Sequence, residues 1–306
     1  MNVTVADAGK VLEYKMYLAT VTCNRDFRQM LLQAESIGKF VEPCHHVILV
    51  NEPNPDIKFW YRWLAPYYKN HELEIIPPYP MLSRHKITND ELSGWTSQQL
   101  QKLLIGMKTY RTDDYVLLDT KNFFIKPINL SEFQDMYGSG QVVRVGEEFE
   151  CTSEYYADYF NVPVMRKAFA VTTPFVIHNC YLRKYWPDQI EDMLIHGVNK
   201  SGPNLGKNIV VSEFLLYSYI IDRDKFDLVS NNEGVYNPVR GTTVWEWNMD
   251  SLEQILYQPN NSKLKVFGFH RQVLKHLYPS GFDFVNDWLK NHIGLNNKIY
   301  PMLVRR

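Results

Sequence analysis

The sequence predicts an α/β fold in which a mostly parallel sheet is flanked by helices, and three observations carry that expectation. Short apolar runs at 15–22 (KMYLATVT), 46–50 (HVILV) and 115–118 (YVLL) read as strands, as does 72–76 (ELEII) before Pro77-Pro78. The segments between them carry helical periodicity, so strand and helix alternate as they do in a helix-covered parallel sheet. The chain has 306 residues, 45% hydrophobic and 22% charged, enough to bury a sizeable core.

Each element has its own signal. After the first strand, Phe27, Met30, Leu31, Ala34 and Ile37 fall on one helical face, and Gly38 lies near its end. The loop 51–55 (NEPNP) closes the second strand, and 57–64 reads as a short helix. Thr96 to Tyr110 is the clearest helix, with Leu100, Leu103, Leu104 and Met107 as its apolar stripe. The second half is less regular. A strand is expected at 168–177, helices at 179–186, 187–197 and 211–221, a strand at 263–269 and a helix at 282–292. The stretch 198–208 (VNKSGPNLGKN) reads as a mobile loop. Neither a repeat nor a linker divides the chain, so one continuous domain is expected.

Composition narrows the function. Lys plus Arg (33) nearly balance Asp plus Glu (34), so no global charge points to nucleic acid or an acidic membrane. Cys23, Cys44, Cys151 and Cys180 are far apart with no CxxC pair, which favours free thiols in a reducing cytoplasm. The N-terminus lacks the apolar core of a signal peptide, and no stretch reaches the ~18 apolar residues of a membrane span. A cytoplasmic protein without a transmembrane segment is therefore expected. The sequence has no Walker A loop, no GxGxxG after a strand, no GxSxG elbow and no HExxH, which argues against NTPases, dinucleotide-fold dehydrogenases, elbow hydrolases and zincins. Aromatic residues, at 14%, suit sugar rings and apolar cores alike, and the core is the simpler place for most of them.

Ligands of parallel sheets bind beyond the carboxyl ends of the strands. That directs attention to Cys23-Asn24-Arg25, Asn51-Glu52 and Asp119-Thr120-Lys121. A carboxylate at 119 can hold a cation on a diphosphate or bond a ribose hydroxyl. As an isolated triplet, an Asp that merely starts a turn is the simpler reading.

The flanking residues change that balance. Gly94-Trp95-Thr96-Ser97-Gln98-Gln99-Leu100-Gln101-Lys102-Leu103 opens the helix that feeds this strand. Together with YVLLDTKNFFIKP at 115–127, it resembles the GT-A nucleotide-sugar glycosyltransferase fold. It is similar in particular to a bacterial and phage group with Leu-Leu-Asp-x-Lys in place of Asp-x-Asp. The likeness runs from about Tyr17 to the helix near 290 and rests on single motifs. It implies one GT-A-like (Rossmann-like) domain over 1–306, with helical additions in the C-terminal half. Residues 15–127 would form the nucleotide-sugar half and 128–306 the acceptor side. The implied activity is that of a hexosyl- or pentosyltransferase, moving a sugar from a nucleotide-diphosphate donor to a hydroxyl of a glycan or a modified nucleic-acid base.

GT-A enzymes usually place the second carboxylate of Asp-x-Asp on a metal that bridges the donor diphosphate. Here Asp119 takes the first position and Lys121 the second. A protonated lysine cannot ligate Mn²⁺ or Mg²⁺, but its charge can neutralise diphosphate directly. The departure weakens the case for a metal held by Asp119 and His270 more than the case for donor binding. The resemblance further implies a donor site of Asp119, Lys121, Lys102, Gln98, Arg25 and His270, an acceptor side with Thr173 and His178, and Glu213 as general base. Each has a structural counterpart. Glu213 suits a helix start through the dipole, the two histidines suit hydrogen-bonded core positions, and Arg25 suits a surface salt bridge. A phage enzyme acting on a flipped base and a nucleotide-sugar-binding protein without turnover stand as alternatives.

Overall fold

Every residue of the strand Met16–Thr22 is buried, as a near-continuous apolar run requires when both faces of its sheet are covered. The computed structural model describes residues 3–4, 16–79, 94–108, 114–185, 212–224, 229, 240–244, 264–269 and 279–298. The first half runs β1 (Val3–Thr4), β2 (Met16–Thr22), α1 (Phe27–Phe40), β3 (His45–Val50), α2 (Ile57–Leu64), β4 (Glu72–Ile76), α3 (Gly94–Lys108), β5 (Asp114–Asp119) and β6 (Asn122–Phe124). The second half adds β7 (Val142–Arg144), α4 (Glu150–Phe160), β8 (Lys167–Phe169), β9 (Phe175–Ile177), α5 (Asn179–Tyr185), α6 (Glu213–Asp224), β10 (Arg240–Val244), β11 (Leu264–Phe269) and α7 (Pro279–Trp288).

The main sheet has the order β1-β4-β3-β2-β5-β9. Its four central strands are parallel, and the two outermost run antiparallel to their neighbours. The chain moves from β2 outward through β3 and β4, then returns through α3 to place β5 on the other side of β2. The order thus reverses between β2 and β5.

Strand alternation sends Tyr17, Ala19, Val21, Tyr115 and Leu117 to one face and Leu18, Val116 and Leu118 to the other. On the first face they pack with Leu100, Leu103 and Leu104 of α3, Tyr156 of α4 and Leu216 and Ile220 of α6. On the second they meet Met30, Ala34 and Ile37 of α1 and Trp60 and Leu64 of α2. A smaller sheet, β10-β11-β6, carries Phe123, Phe267 and Phe269 against Phe282, Val285 and Trp288 of α7.

The expected α/β architecture is the observed one. The single strand expected at 168–177 is instead two strands in different sheets. β8 pairs with β7, whereas β9 joins β5, with a cis Thr173–Pro174 bond between them. Pro174 has no N–H to give a ladder, so a strand cannot run through it unbroken. Helix α4 carries no clear sequence signal, because its buried face is Thr152, Ser153, Tyr156 and Ala157 rather than an apolar stripe. The expectations for 187–197 and 198–208 lie outside the described residues. All four cysteines are free, and no described helix is long and apolar enough to cross a membrane.

One close approach fixes α3 on the sheet. A Cβ at Gly106 would lie 2.6 Å from the Tyr115 ring and 2.1 Å from Asn179 Oδ1. The Tyr115 hydroxyl in turn donates to the Lys102 carbonyl at 2.9 Å. Gly106→Ala should therefore lift α3 and lower stability by about 1–3 kcal/mol, read as a lower urea midpoint with an unchanged slope.

Candidate active site

The reversal of strand order between β2 and β5 is where parallel sheets bind their ligands, because the loops leaving the two strands part there. A cleft of about 200 Å³ lies at that point, lined by Asp26, Gln29, Gln98, Gln99, Lys102, Asp119, Thr120, Lys121, Phe149, Val171, Ser212, Glu213 and Phe214. Val21 pairs with Asp119 across the two strands. Its carbonyl receives hydrogen bonds from Thr120 Oγ1 at 3.3 Å and Gln98 Nε2 at 3.4 Å. The cleft therefore draws on β2, the start of α1, α3, β5 and α6.

Of the five charged side chains that line it, four pair with one another, and Asp26 is the fifth. Lys102 Nζ lies 3.0 Å from Asp119 Oδ1 and 2.8 Å from Glu213 Oε1. It also faces Gln99 Oε1 at 3.4 Å and sits 5.2 Å from the centre of the Phe214 ring. Lys121 Nζ lies 2.6 Å from the other Asp119 oxygen. The side chains of Lys102 and Glu213 are 4% and 2% exposed, against 17% for Lys121 and 21% for Asp119, so the buried pair forms the floor and the second pair the mouth.

Local sequence explains each position. Lys102 is two turns into α3, in a stretch of that helix that is buried all round, with Leu100, Leu103 and Leu104 as its neighbours. Asp119 is the last residue of β5, and its N–H donates to Asn122 Oδ1 at 2.8 Å in the turn that follows. Ser212 Oγ accepts from Leu215 N–H at 3.3 Å, which starts α6 and puts Glu213 in its first turn.

The electrostatics sort the two carboxylates. Burial opposes the charge on Lys102, yet Asp119 and Glu213 outweigh it and hold the ammonium protonated above its ordinary range. Burial would raise the Asp119 carboxyl, but Lys102 and Lys121 together hold it well below the usual range. For Glu213 burial is the largest influence and raises its pKa, with Lys102 pulling the other way without prevailing. Asp119 is thus the firm anion, and Glu213 is the carboxylate poised to take a proton.

This arrangement does not fit a divalent cation. Both Asp119 oxygens face ammonium groups, and no three His, Cys, Asp or Glu side chains among the described residues could surround a metal. His270 lies outside the described residues.

The other candidates fall in different places. Gln98 is half-buried on the cleft wall. Thr173 sits beside the Asp119 turn rather than apart from it, with its hydroxyl 3.4 Å from Asp119 Oδ2 and within hydrogen-bond distance of Asn122 Oδ1. Arg25 is exposed and does not line the cleft, where Asp26 and Gln29 stand instead. His178 does not line the cleft. β9 runs antiparallel to β5, which sets His178 beside Asp114 at the start of β5, five residues and about 16 Å from Asp119. Its ring bonds Asp114 and, at 2.8 Å, the Met136 carbonyl, as a structural histidine does.

Gln29 and Asp26 were not singled out by the sequence reading, and Gln99 entered it only as part of the motif at 94–103. The signal of the first two was faint: polar residues at the start of the helix that follows β2. A larger cavity of about 350 Å³ lies along α6 beside Phe160, Met165, Tyr219 and Arg223 and shares no lining residue with the cleft.

Asp119 makes the cluster testable. Its depressed pKa means that its contribution is complete above the ordinary carboxylate range and disappears only as pH falls through the folded value. Asp119→Asn should lower stability by about 1–3 kcal/mol at pH 7, less than a fully buried pair because the carboxylate is partly exposed. Urea unfolding should show that gap unchanged from pH 8 to 5 and narrowing in stronger acid.

No protein-family model matches the chain, and no curated protein sequence does. Among solved structures the chain is similar to the glycosyltransferase GlyE of Streptococcus pneumoniae TIGR4, at 10% identity and a TM-score of 0.42 over 83% of this chain. It spans only 54% of GlyE. Mouse xyloside xylosyltransferase 1 in its apo form gives 9% identity and 0.43, with 83% of this chain and 97% of that one covered. The galactosyltransferase LgtC in complex with donor and acceptor sugar analogs gives 10% and 0.41, with 82% and 87% covered. At such values the likeness carries no weight for the site, whose chemistry rests on its own residues.

Proposed function

We propose that this chain is a glycosyltransferase that moves a sugar from a nucleotide-diphosphate donor to a hydroxyl acceptor. One observation carries the reading: two lysines and a firm carboxylate converge at the strand switch point beside a second, buried carboxylate whose pKa is raised. Those are the groups that glycosyl transfer needs in one place. The donor diphosphate would be held by Lys121 and Lys102, with Asp119 fixing both cations and Gln98 on the wall. The acceptor oxygen would attack the anomeric carbon as the bond from that carbon to the diphosphate oxygen breaks. The electron pair would leave on the diphosphate, stabilised by the lysines, and the acceptor proton would pass to Glu213. Ligand charge near Lys102 would loosen its hold on Glu213, leaving the carboxylate more basic when the donor is in place.

A nucleotide-sugar-binding protein without turnover is the second reading, favoured by the burial of Glu213 and its 2.8 Å contact with Lys102. Donor binding with neither transfer nor slow donor hydrolysis would establish it.

A thermal-shift screen against nucleotide sugars, with Mn²⁺ and with EDTA, tests the donor site. Stabilisation that persists in EDTA is expected, because lysines rather than a cation carry the charge. Loss of all binding in EDTA, restored by metal, would overturn the lysine assignment. Glu213→Gln tests the base. Transfer should fall by roughly 10²–10⁴-fold with donor affinity unchanged. Normal turnover in this variant would make Glu213 a helix-start residue only.

A further inference from the structure

The turn that presents Asp119 and Lys121 is held from behind by a buried polar chain that crosses the sheet. Gln33, wholly buried on α1, donates from Nε2 to the carbonyls of Asp119 and Asn122, each at 2.9 Å. One amide group therefore ties both ends of the turn. Its orientation is set from the far side: Thr20 Oγ1 donates to Gln33 Oε1 at 2.9 Å. That bond uses the only hydroxyl proton, so Thr20 can accept but not donate to His46 Nε2, 3.0 Å away. The imidazole then carries its proton on Nε2, and Nδ1 accepts from the Tyr68 hydroxyl at 2.7 Å. The two carbonyls at one end fix the direction of every bond, back to Tyr68.

We infer that Gln33 is a positioning residue for the candidate donor site, with Thr20, His46 and Tyr68 locking its amide so that it can serve both carbonyls. The argument is one of satisfiability. A flipped Gln33 would turn its oxygen toward two carbonyl oxygens and its NH₂ toward a hydroxyl that has an imidazole N–H to accept. The Asp119 and Asn122 carbonyls and Gln33 Oε1 would then each lose this bond, which is costly in an interior. Burial also keeps His46 neutral, since its pKa lies well below the ordinary histidine value. None of the four touches the cleft, so the chain acts through the turn and not on a ligand. On the first side of the same turn, Asn122 Oδ1 accepts from the Asp119 N–H, so the turn is held from within as well.

The inference of a role in donor binding rests on the proposed function, whereas the clamp itself does not, and the experiment separates the two. Thr20→Val keeps the shape and removes the hydroxyl, Thr20→Ser keeps the hydroxyl, and Gln33→Met removes the amide at similar length. Hydrogen exchange of the peptide 115–124 reads the turn directly. Isothermal titration with UDP, GDP, ADP and CDP, well below the melting temperature, reads the site. Thr20→Val and Gln33→Met should speed exchange in the turn and weaken nucleotide binding by about five- to tenfold, the scale of one buried hydrogen bond. Thr20→Ser should restore both. Should Gln33→Met fail to fold, the two Thr20 variants decide alone. Faster exchange in a protein that binds none of the nucleotides would uphold the clamp and overturn the donor-site reading. Unchanged exchange and affinity, with only a lower melting temperature, would reduce Gln33 to a core residue and overturn the inference.

Discussion

The buried ammonium of Lys102 is the constraint on which the site depends. A charge this deep is stable only with partners, and its partners come from elements distant in sequence: the end of β5 and the first turn of α6. To meet them, α3 has to lie at a set height on the sheet, and the Gly106 contact with Tyr115 permits that height. The Tyr115 hydroxyl then bonds the carbonyl of Lys102 itself, tying the strand that ends in Asp119 to the residue that faces it. Position of the helix and chemistry of the cleft are thus one arrangement.

The same cation acts unequally on its two carboxylates. Asp119 has a second lysine and some exposure, so it stays ionised far into acid. Glu213 has one cation and almost no exposure, and burial prevails. Two influences oppose each other at Glu213, the helix dipole lowering its pKa and apolar surroundings raising it. Packing of α6 against α3 and α4 resolves the opposition in favour of burial, which is the direction a general base needs.

What could be read from the sequence follows from where its signals are local. Strands β2, β3 and β5 carry near-continuous apolar runs, and the residues just beyond β2 and β5 fall at the switch point by topology alone, so Asp119 and Lys121 were visible, with Lys102 on the helix that feeds β5. Thr173 was visible as a residue but not as a neighbour of Asp119, because that contact depends on the break at Pro174. His178 lies off the cleft because proximity to a strand end does not say which end of the sheet a loop reaches, whereas Arg25 follows the right end of β2 but is exposed. β9 runs antiparallel, and that single reversal carries His178 to the opposite edge. Gln33 could not be read at all. It stands on the buried face of α1 beside Met30, Ala34 and Ile37, and its partners are backbone carbonyls 86 and 89 residues away. A polar residue on an apolar stripe announces a buried bond, but nothing local names the acceptor.

The cluster of Lys102, Lys121, Asp119 and Glu213 is balanced when all four are ionised, two charges of each sign. An incoming diphosphate would add negative charge to this balanced cluster, with Asp26 also on the cleft wall, so on the proposed reading it could bind only by taking a lysine from a carboxylate. Lys121 is the cation nearer the mouth, and it is tied to the more exposed carboxylate. Its ion pair is the less costly to exchange, because groups closer to water lose less on separation. Lys102 is confined by Phe214 and Gln99 and would move little, so its influence on Glu213 would weaken by competition from the new anion rather than by displacement. A tethered ammonium also differs from a metal ion in a way that suits such an exchange: it has no coordination shell to rebuild, and its charge stays in the site when the product leaves. Turnover would then alternate between an internally paired state and a donor-paired state of the same four side chains.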